Sequence, residues 1–308
     1  MGHKVLVLGA SGMLGSMVIN VLAEQEGFSV AGTASTDESL ALCRQADLPG
    51  EWLRLDVERS TSAELSLLLG RFDWAINCIG VIKPYITDTN PQQVERATRV
   101  NALFPHELGR AAAQAGRRIL QIATDCVYSG AKGDYVESDP HDATDVYGKT
   151  KSLGEAKIDG MHHLRCSIIG PELKGHKSLL DWFRGQAQNA KPSGYANHFW
   201  NGVTTYHYAR MCAGIISANT ALPQLQHVIA GAKISKEEML QCFRSSYNRT
   251  DLHIEGRAAP VAIDRTLSTA DPACNRRIWQ AAGYAEPPTV PQMIDEMARY
   301  QPSLRGAG

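Results

Sequence analysis

This chain of 308 residues has no excess charge of either sign: 31 Lys and Arg stand against 32 Asp and Glu, a formal net charge of −1. Such a balance gives no electrostatic drive toward nucleic acid or an anionic membrane, so neither is expected as a partner. No apolar run approaches the ~18 residues that a membrane span requires. Met-Gly-His-Lys leads straight into a short apolar strand, without the layout of a signal peptide. The seven cysteines, at 43, 78, 126, 166, 212, 242 and 274, form neither a C-x-x-C nor any paired spacing. Their scatter argues against a disulfide framework and for reduced thiols in a cytoplasmic protein. None of the ten His residues stands at the Cys/His spacing of a zinc site, so no protein-bound catalytic metal is expected. A G-x-S-x-G elbow is missing too, which disfavours a Ser/His/Asp hydrolase. Internal repeats and low-complexity tracts are likewise missing.

What is present is an ordinary soluble composition, 44% hydrophobic and 20% charged, long enough for one large domain or two smaller ones. Lys4–Leu8 is a run of β-formers that reads as a strand buried on both faces. It enters Gly9-Ala10-Ser11-Gly12-Met13-Leu14-Gly15, followed by a helical pattern to about Glu24. The spacing is G-x-x-G-x-x-G rather than G-x-G-x-x-G. Glycines at a strand-to-helix turn let a pyrophosphate approach the backbone and rest on the helix N-terminus. Strands are expected at Phe28–Gly32, Trp52–Leu55, Trp74–Asn77, Arg118–Ala123 and His163–Cys166, alternating with helical segments. That alternation predicts right-handed crossovers and a parallel sheet. Thr61 to Glu64 is a capping box, and Asn90-Pro91 is a helix start whose pattern runs past Asn101, with Pro105 expected to kink or restart it.

Where an NAD enzyme often places an acid after the second strand, this chain has Thr33-Ala34-Ser35-Thr36 before Asp37. Ser35 and Thr36 can hydrogen-bond a ribose 2′-phosphate, so NADP is favoured. Loop residues facing water are the alternative, and Asp37 keeps NAD open.

Downstream, Asp145-Val-Tyr-Gly-Lys-Thr-Lys151 puts Tyr147 and Lys151 one helical turn apart on one face. A neighbouring ammonium is expected to bring the phenol closer to neutrality and make it a proton donor and acceptor. On spacing alone the stretch equally describes a surface helix with one Tyr and two Lys, and the upstream context reverses that preference.

Gly-Ala-Ser-Gly-Met-Leu-Gly at 9–15, Leu-Asp-Val at 55–57, Asn-Cys-Ile-Gly at 77–80, Val-Asn at 100–101, Ala-Thr-Asp-Cys-Val-Tyr at 123–128 and Tyr-Gly-Lys-Thr-Lys at 147–151 follow one another in a familiar order. Together they resemble the extended short-chain dehydrogenase/reductases, and within them the dTDP-4-dehydrorhamnose reductases and related sugar-nucleotide reductases. The resemblance covers roughly the first two thirds of the chain. It implies an α/β Rossmann-type, doubly wound parallel sheet with a smaller C-terminal substrate domain. Residues 1–168 would form the dinucleotide-binding domain and 169–308 mainly the substrate-binding part, with 203–231 crossing back to the sheet. The family pattern implies that Gly9, Gly12 and Gly15 wrap the pyrophosphate, with Ser11, Met13 and Leu14 of the same turn beside the cofactor. It puts Asp56 and Val57 near the adenine, and Cys78, Ile79, Gly80 and Asn101 along the cofactor. Thr124, Tyr147 and Lys151 would stand at the reacting carbonyl, Tyr147 and Lys151 also touching the cofactor, with Asp125, Cys126, His198 and Trp200 on the substrate side. Cys126 departs from the pattern, since Tyr is common there.

The implied reaction is reduction by NADPH of a keto group on a nucleotide-linked deoxysugar, in polysaccharide biosynthesis; a homodimer is compatible with the resemblance. Trp200, in a stretch expected to close as a loop over the sugar nucleotide, is equally read as a buried aromatic anchor. Two other functions stay open: an epimerase or dehydratase of the same fold, and a non-catalytic NADP-binding regulatory subunit. Dehydratases usually carry Asp-Glu after the catalytic Thr, whereas Asp125 is followed here by Cys126.

Overall fold

Alternating side chains of the first strand, β1 (His3–Leu8), fall into two different cores: Val5 and Val7 pack into one, Leu6 and Leu8 into the other. A strand apolar on both faces needs helices on both sides, and the chain supplies them. The computed structural model describes residues 2–302. After β1 come α1 (Met13–Glu24), β2 (Phe28–Ala34), α2 (Asp37–Gln45), β3 (Glu51–Arg54), α3 (Ser62–Leu69) and β4 (Trp74–Asn77). They are followed by α4 (Pro91–Ala97), α5 (Phe104–Ala115), β5 (Arg118–Ala123), α6 (Val146–Leu153) and β6 (Met161–Arg165). The remainder is β7 (Ile168–Ile169), α7 (Leu179–Arg184), β8 (Ser193–Tyr195), β9 (His198–Trp200), β10 (Val203–Thr204), α8 (Thr205–Ser217), β11 (Leu225–His227), β12 (Ile234–Ser235), α9 (Lys236–Ser246), β13 (Glu255–Arg257), β14 (Ile263–Asp264), α10 (Pro272–Ala281) and α11 (Val290–Arg299).

The central sheet runs β3-β2-β1-β4-β5-β6-β11, all parallel. Strand order reverses between β1 and β4, the switch point at which open α/β sheets bind ligands. Helices α1 and α8 pack on each other over one face, and α3 packs on α5 over the other. The doubly wound α/β Rossmann-type sheet expected from the sequence is what forms. α8 lies against α1, and β11 extends the sheet beyond β6, so the chain returns to the sheet after β10. Small sheets, β12-β9-β14, β13-β8 and β10-β7, surround this return. No helix among the described residues is long and apolar enough to cross a membrane.

Several boundaries differ from the sequence reading. Between β7 and β8, where no helix was expected, lies α7, capped by Ser178, whose side chain accepts from the Asp181 N–H. The third strand is Glu51–Arg54 rather than Trp52–Leu55. The stretch expected to be a loop around Trp200 is the strand β9, hydrogen-bonded to β12 and β14. At Pro105 the helix runs on: a wider π-type turn spans Thr98–Leu103, and α5 follows it with right-handed helical backbone across the junction and Pro105 as its second residue.

A buried polar cluster centres on Arg165. Arg165 is fully buried, and its Nη1 donates to the Tyr128 hydroxyl at 2.6 Å and to His227 Nε2 at 2.7 Å. Its Nη2 donates to His141 Nε2 at 2.8 Å and to both oxygens of Glu155 at 2.5 and 2.6 Å. A guanidinium can only donate, so each histidine is neutral with Nε2 as acceptor. The Nδ1 protons then go to the Ser268 carbonyl at 2.8 Å from His227, and to Ser152 Oγ at 2.6 Å from His141.

Candidate active site

At the carboxyl edge of β1, β4 and β5 opens a cleft of about 700 Å³. Ser11, Gly12, Met13 and Leu14 line it from the first turn, and Cys78, Ile79 and Gly80 from the end of β4. Thr124, Asp125, Cys126, Tyr147, Lys151 and Trp200 line it too. The close fit of the first turn depends on Gly15: a Cβ there would stand 2.3 Å from the Gly9 carbonyl oxygen. At Gly12 a Cβ would meet only that oxygen, at 3.4 Å, which leaves the turn's backbone open toward the cleft. This open, helix-capping backbone fits a dinucleotide pyrophosphate.

Helix α6 carries Tyr147 and Lys151. Asp145 caps it, accepting from the Gly148 N–H at 2.7 Å, and Lys83 holds the other carboxylate oxygen of Asp145 at 2.6 Å. Gly148 lets the helix lie on the turn after β5, since a Cβ there would be 2.4 Å from the Cys126 carbonyl oxygen. That contact brings Tyr147 to Thr124. Thr124 Oγ1 accepts from the Cys126 N–H at 3.2 Å and donates to Asp125 Oδ1 at 3.3 Å. Lys151 is buried and its Nζ donates to the Ile122 carbonyl at 3.2 Å.

One sequence expectation is corrected here. Tyr147 is not drawn toward neutrality. Burial chiefly, then Cys126, pushes its phenol above the usual tyrosine value, and the Thr124 hydroxyl opposes this. Burial also brings Lys151 down to about 8, against the pull of Glu155. Losing solvent costs the phenolate more than an ammonium that burial has also weakened can return. Tyr147 is therefore a protonated phenol at neutral pH, suited to giving a proton. Burial likewise pushes the Cys126 thiol up to about 12, with Asp125 adding to the effect, so it is no thiolate nucleophile.

Other expected site residues lie outside the cleft wall. Asn101, in the π-type turn, accepts from the Val81 N–H at 2.8 Å and donates to the Val81 carbonyl at 2.9 Å, fixing the loop that carries Gly80. Asp56 accepts from the Glu58 N–H at 3.1 Å as a turn residue, and Val57 is buried in the core. Ser35 is exposed at the end of β2, while Thr36 caps α2 by accepting from the Ser39 N–H at 3.2 Å. His198 is not brought to the cleft: its Nε2 meets the Val261 carbonyl at 3.0 Å and its ring leans on Tyr195. Trp200 is 4% exposed, at once a core residue and part of the cleft wall.

Sequence reasoning missed Tyr85, Glu172, Lys174, Ser178 and Lys236, which also line the cleft. All but Lys236, which opens α9, come from short segments without periodicity. Only Ser178 had a local signal, the S-x-x-D cap of α7. Lys174 crosses the cleft mouth to donate to Ser39 Oγ at 2.7 Å. No group of three or more His, Cys, Asp or Glu among the described residues is placed to hold a metal ion.

Comparison with known proteins gives the lineage. Over 265 residues the chain is 23% identical to methionine adenosyltransferase 2 subunit beta of Xenopus tropicalis, covering 82% of this chain and 75% of that one. It is 28% identical over 163 residues to dTDP-4-dehydrorhamnose reductase of Mycolicibacterium smegmatis, covering 51% of this chain and only 42% of that protein. The solved dTDP-4-dehydrorhamnose reductase of Bacillus anthracis in complex with NADP superimposes with a TM-score of 0.71 at 17% identity, over 96% of this chain and 99% of that one. The model of the RmlD substrate binding domain matches residues 3–169, more than half of the 308 residues. By that match the chain belongs to the RmlD substrate binding domain family, among the extended short-chain, sugar-nucleotide reductase-like proteins.

Proposed function

We propose that the protein is an NADPH-dependent reductase of a keto group on a nucleotide-linked deoxysugar. The observation that carries this reading is the convergence of Thr124, Tyr147 and Lys151 on one cleft that also contains the glycine turn. In this reading residues 1–168 hold the cofactor and 169–308 mainly the substrate, with 203–231 returning to the sheet.

The nicotinamide cofactor, when bound, supplies the hydride, and the chain's own groups handle the rest of the charge. Tyr147 gives its phenolic proton to the oxygen of the reduced carbonyl. Thr124 donates a hydrogen bond to the same oxygen, where negative charge grows in the transition state. Lys151 holds the nicotinamide ribose and offers a positive field to the phenolate left on Tyr147. These interactions strengthen as the reaction proceeds, so they lower the barrier rather than merely bind substrate.

A second reading draws on the long alignment with methionine adenosyltransferase 2 subunit beta, which spans 82% of this chain. It is an NADP-binding regulatory subunit without turnover. Incubating the purified protein with NADPH and a panel of nucleotide-linked ketosugars separates the two. Substrate-dependent loss of NADPH absorbance is the expected result; tight NADPH binding with no oxidation across the panel would favour the regulatory reading.

A further inference from the structure

Four basic residues line the cleft: Arg96, Lys151, Lys174 and Lys236. Three already have polar partners within the chain. Arg96 Nε donates to Glu58 at 2.9 Å, Lys151 to the Ile122 carbonyl at 3.2 Å, and Lys174 to Ser39 at 2.7 Å. Lys236 has no hydrogen-bond or ion-pair partner among the described residues. Its one close polar attraction is to the face of Trp200, with Nζ 5.7 Å from the ring centroid. A cation on an aromatic face keeps its donors free for a further ligand.

The placement of this ammonium is specific. Lys236 is the first residue of α9, directly after Ser235, which pairs with Phe199 across β12 and β9 and is locked by the capping box with Glu238. β9 carries Trp200, so ring and ammonium are held on adjoining strand ends. Asp125, next to Thr124, is the neighbour whose carboxylate favours the charged form of Lys236, with Arg265 opposing. Burial holds Lys236 below the usual lysine value, so an anion docking there would recover charge stabilisation that the protein alone withholds.

We propose that Lys236 is a specificity-determining residue that binds an anionic oxygen on the sugar side of the nucleotide sugar, with Trp200 walling the same subsite. This rests on the reductase reading above. Two parts of a nucleotide sugar offer that chemistry: the sugar-linked phosphate and a carboxylate on the sugar ring. The ammonium of Lys236 would set the depth at which the sugar enters and so which carbon faces Tyr147.

Calorimetric titration of the NADP-loaded protein tests this with dTDP, dTDP-glucose, UDP-glucose and UDP-glucuronic acid, on the parent, Lys236→Met and Lys236→Arg. Lys236→Met should weaken binding by at least about tenfold, with Lys236→Arg recovering most of the loss. An equal loss for dTDP and dTDP-glucose identifies the phosphate as the group bound. A loss confined to UDP-glucuronic acid identifies the carboxylate. Equal affinities of Lys236→Met and parent for all four ligands, or no binding of any by the parent, would overturn the assignment. NADPH affinity and the melting temperature, measured alongside, should not move. Because cofactor binding and ketosugar turnover are read separately, a null result at Lys236 leaves the reductase reading standing, and loss of that reading shows as no turnover by the parent.

Discussion

Two polar clusters, one around Arg165 and one in the cleft, are satisfied to different degrees. Around Arg165, the four Nη hydrogens are taken up by Tyr128, His227, His141 and Glu155, which leaves only the Nε–H of that guanidinium without a partner among the described residues. In the cleft, Tyr147, Lys151 and Lys236 are desolvated with few protein partners, and burial shifts each toward its uncharged form. Polar groups that finish one another's hydrogen bonds rigidify a fold. Polar groups left short of partners in a cleft store interaction free energy for a ligand. Glu155 belongs to the first set, yet it also raises the Lys151 value, so the clusters touch electrostatically through the end of α6.

The comparison breaks most sharply at Tyr147. Tyr147→Phe should lower the reductase rate by ~10²–10⁴, the usual worth of a general acid, with NADPH affinity and melting temperature nearly unchanged. Turnover within a few-fold of the parent would remove Tyr147 from the chemistry. Arg165→Met should do the reverse. It strands the Glu155 carboxylate and should cost about 3–5 kcal/mol in denaturant-measured stability. A stability loss under about 1 kcal/mol would show that this cluster is not the structural one.

Acid should find the Arg165 cluster first. Burial, and then Arg165, lower His227 to about 4, and burial lowers His141 as well. Between the unfolded value of ~6.5 and that folded value, the unfolded chain binds more protons. This stability is thus present in full above pH ~6.5 and is lost as pH falls from there toward 4, by up to about 1.4 kcal/mol per pH unit for His227. In His227→Gln the slope from this site should vanish; an unchanged slope would place the acid sensitivity elsewhere. The smallest effect concerns the cofactor. In the reductase reading proposed above, Ser35, Thr36 and the Lys174–Ser39 contact are the candidates for meeting a 2′-phosphate, so NADPH should bind at least about tenfold tighter than NADH, or ~1.4 kcal/mol. Equal affinities in fluorescence titrations would remove that preference.

Legibility in the sequence followed the range of the signal. Trp74–Asn77 and Arg118–Ala123 were readable because strands buried on both faces are mostly apolar and rich in β-formers, and Thr61 because a capping box is local. The same local chemistry at Thr36, Ser178 and Asp271-Pro272 escaped notice, since α2, α7 and α10 follow it with polar or very short patterns. Tyr147 and Lys151 were visible through a four-residue spacing, and the glycine turn through its place after the first strand. Their ionisation was not, because desolvation depends on what packs around a group and not on its neighbour in sequence. The sequence by itself determined the parallel α/β plan, the phosphate-sized turn and the Tyr–Lys pair, all written in contacts within a few residues. Only the tertiary structure decided that Lys236, 85 residues beyond Lys151, reaches the same cleft, that His198 does not, and that Arg165 gathers partners from 128 to 227. Those outcomes depend on long-range packing, in which a side chain's charge and role are set by partners that the local sequence does not contain.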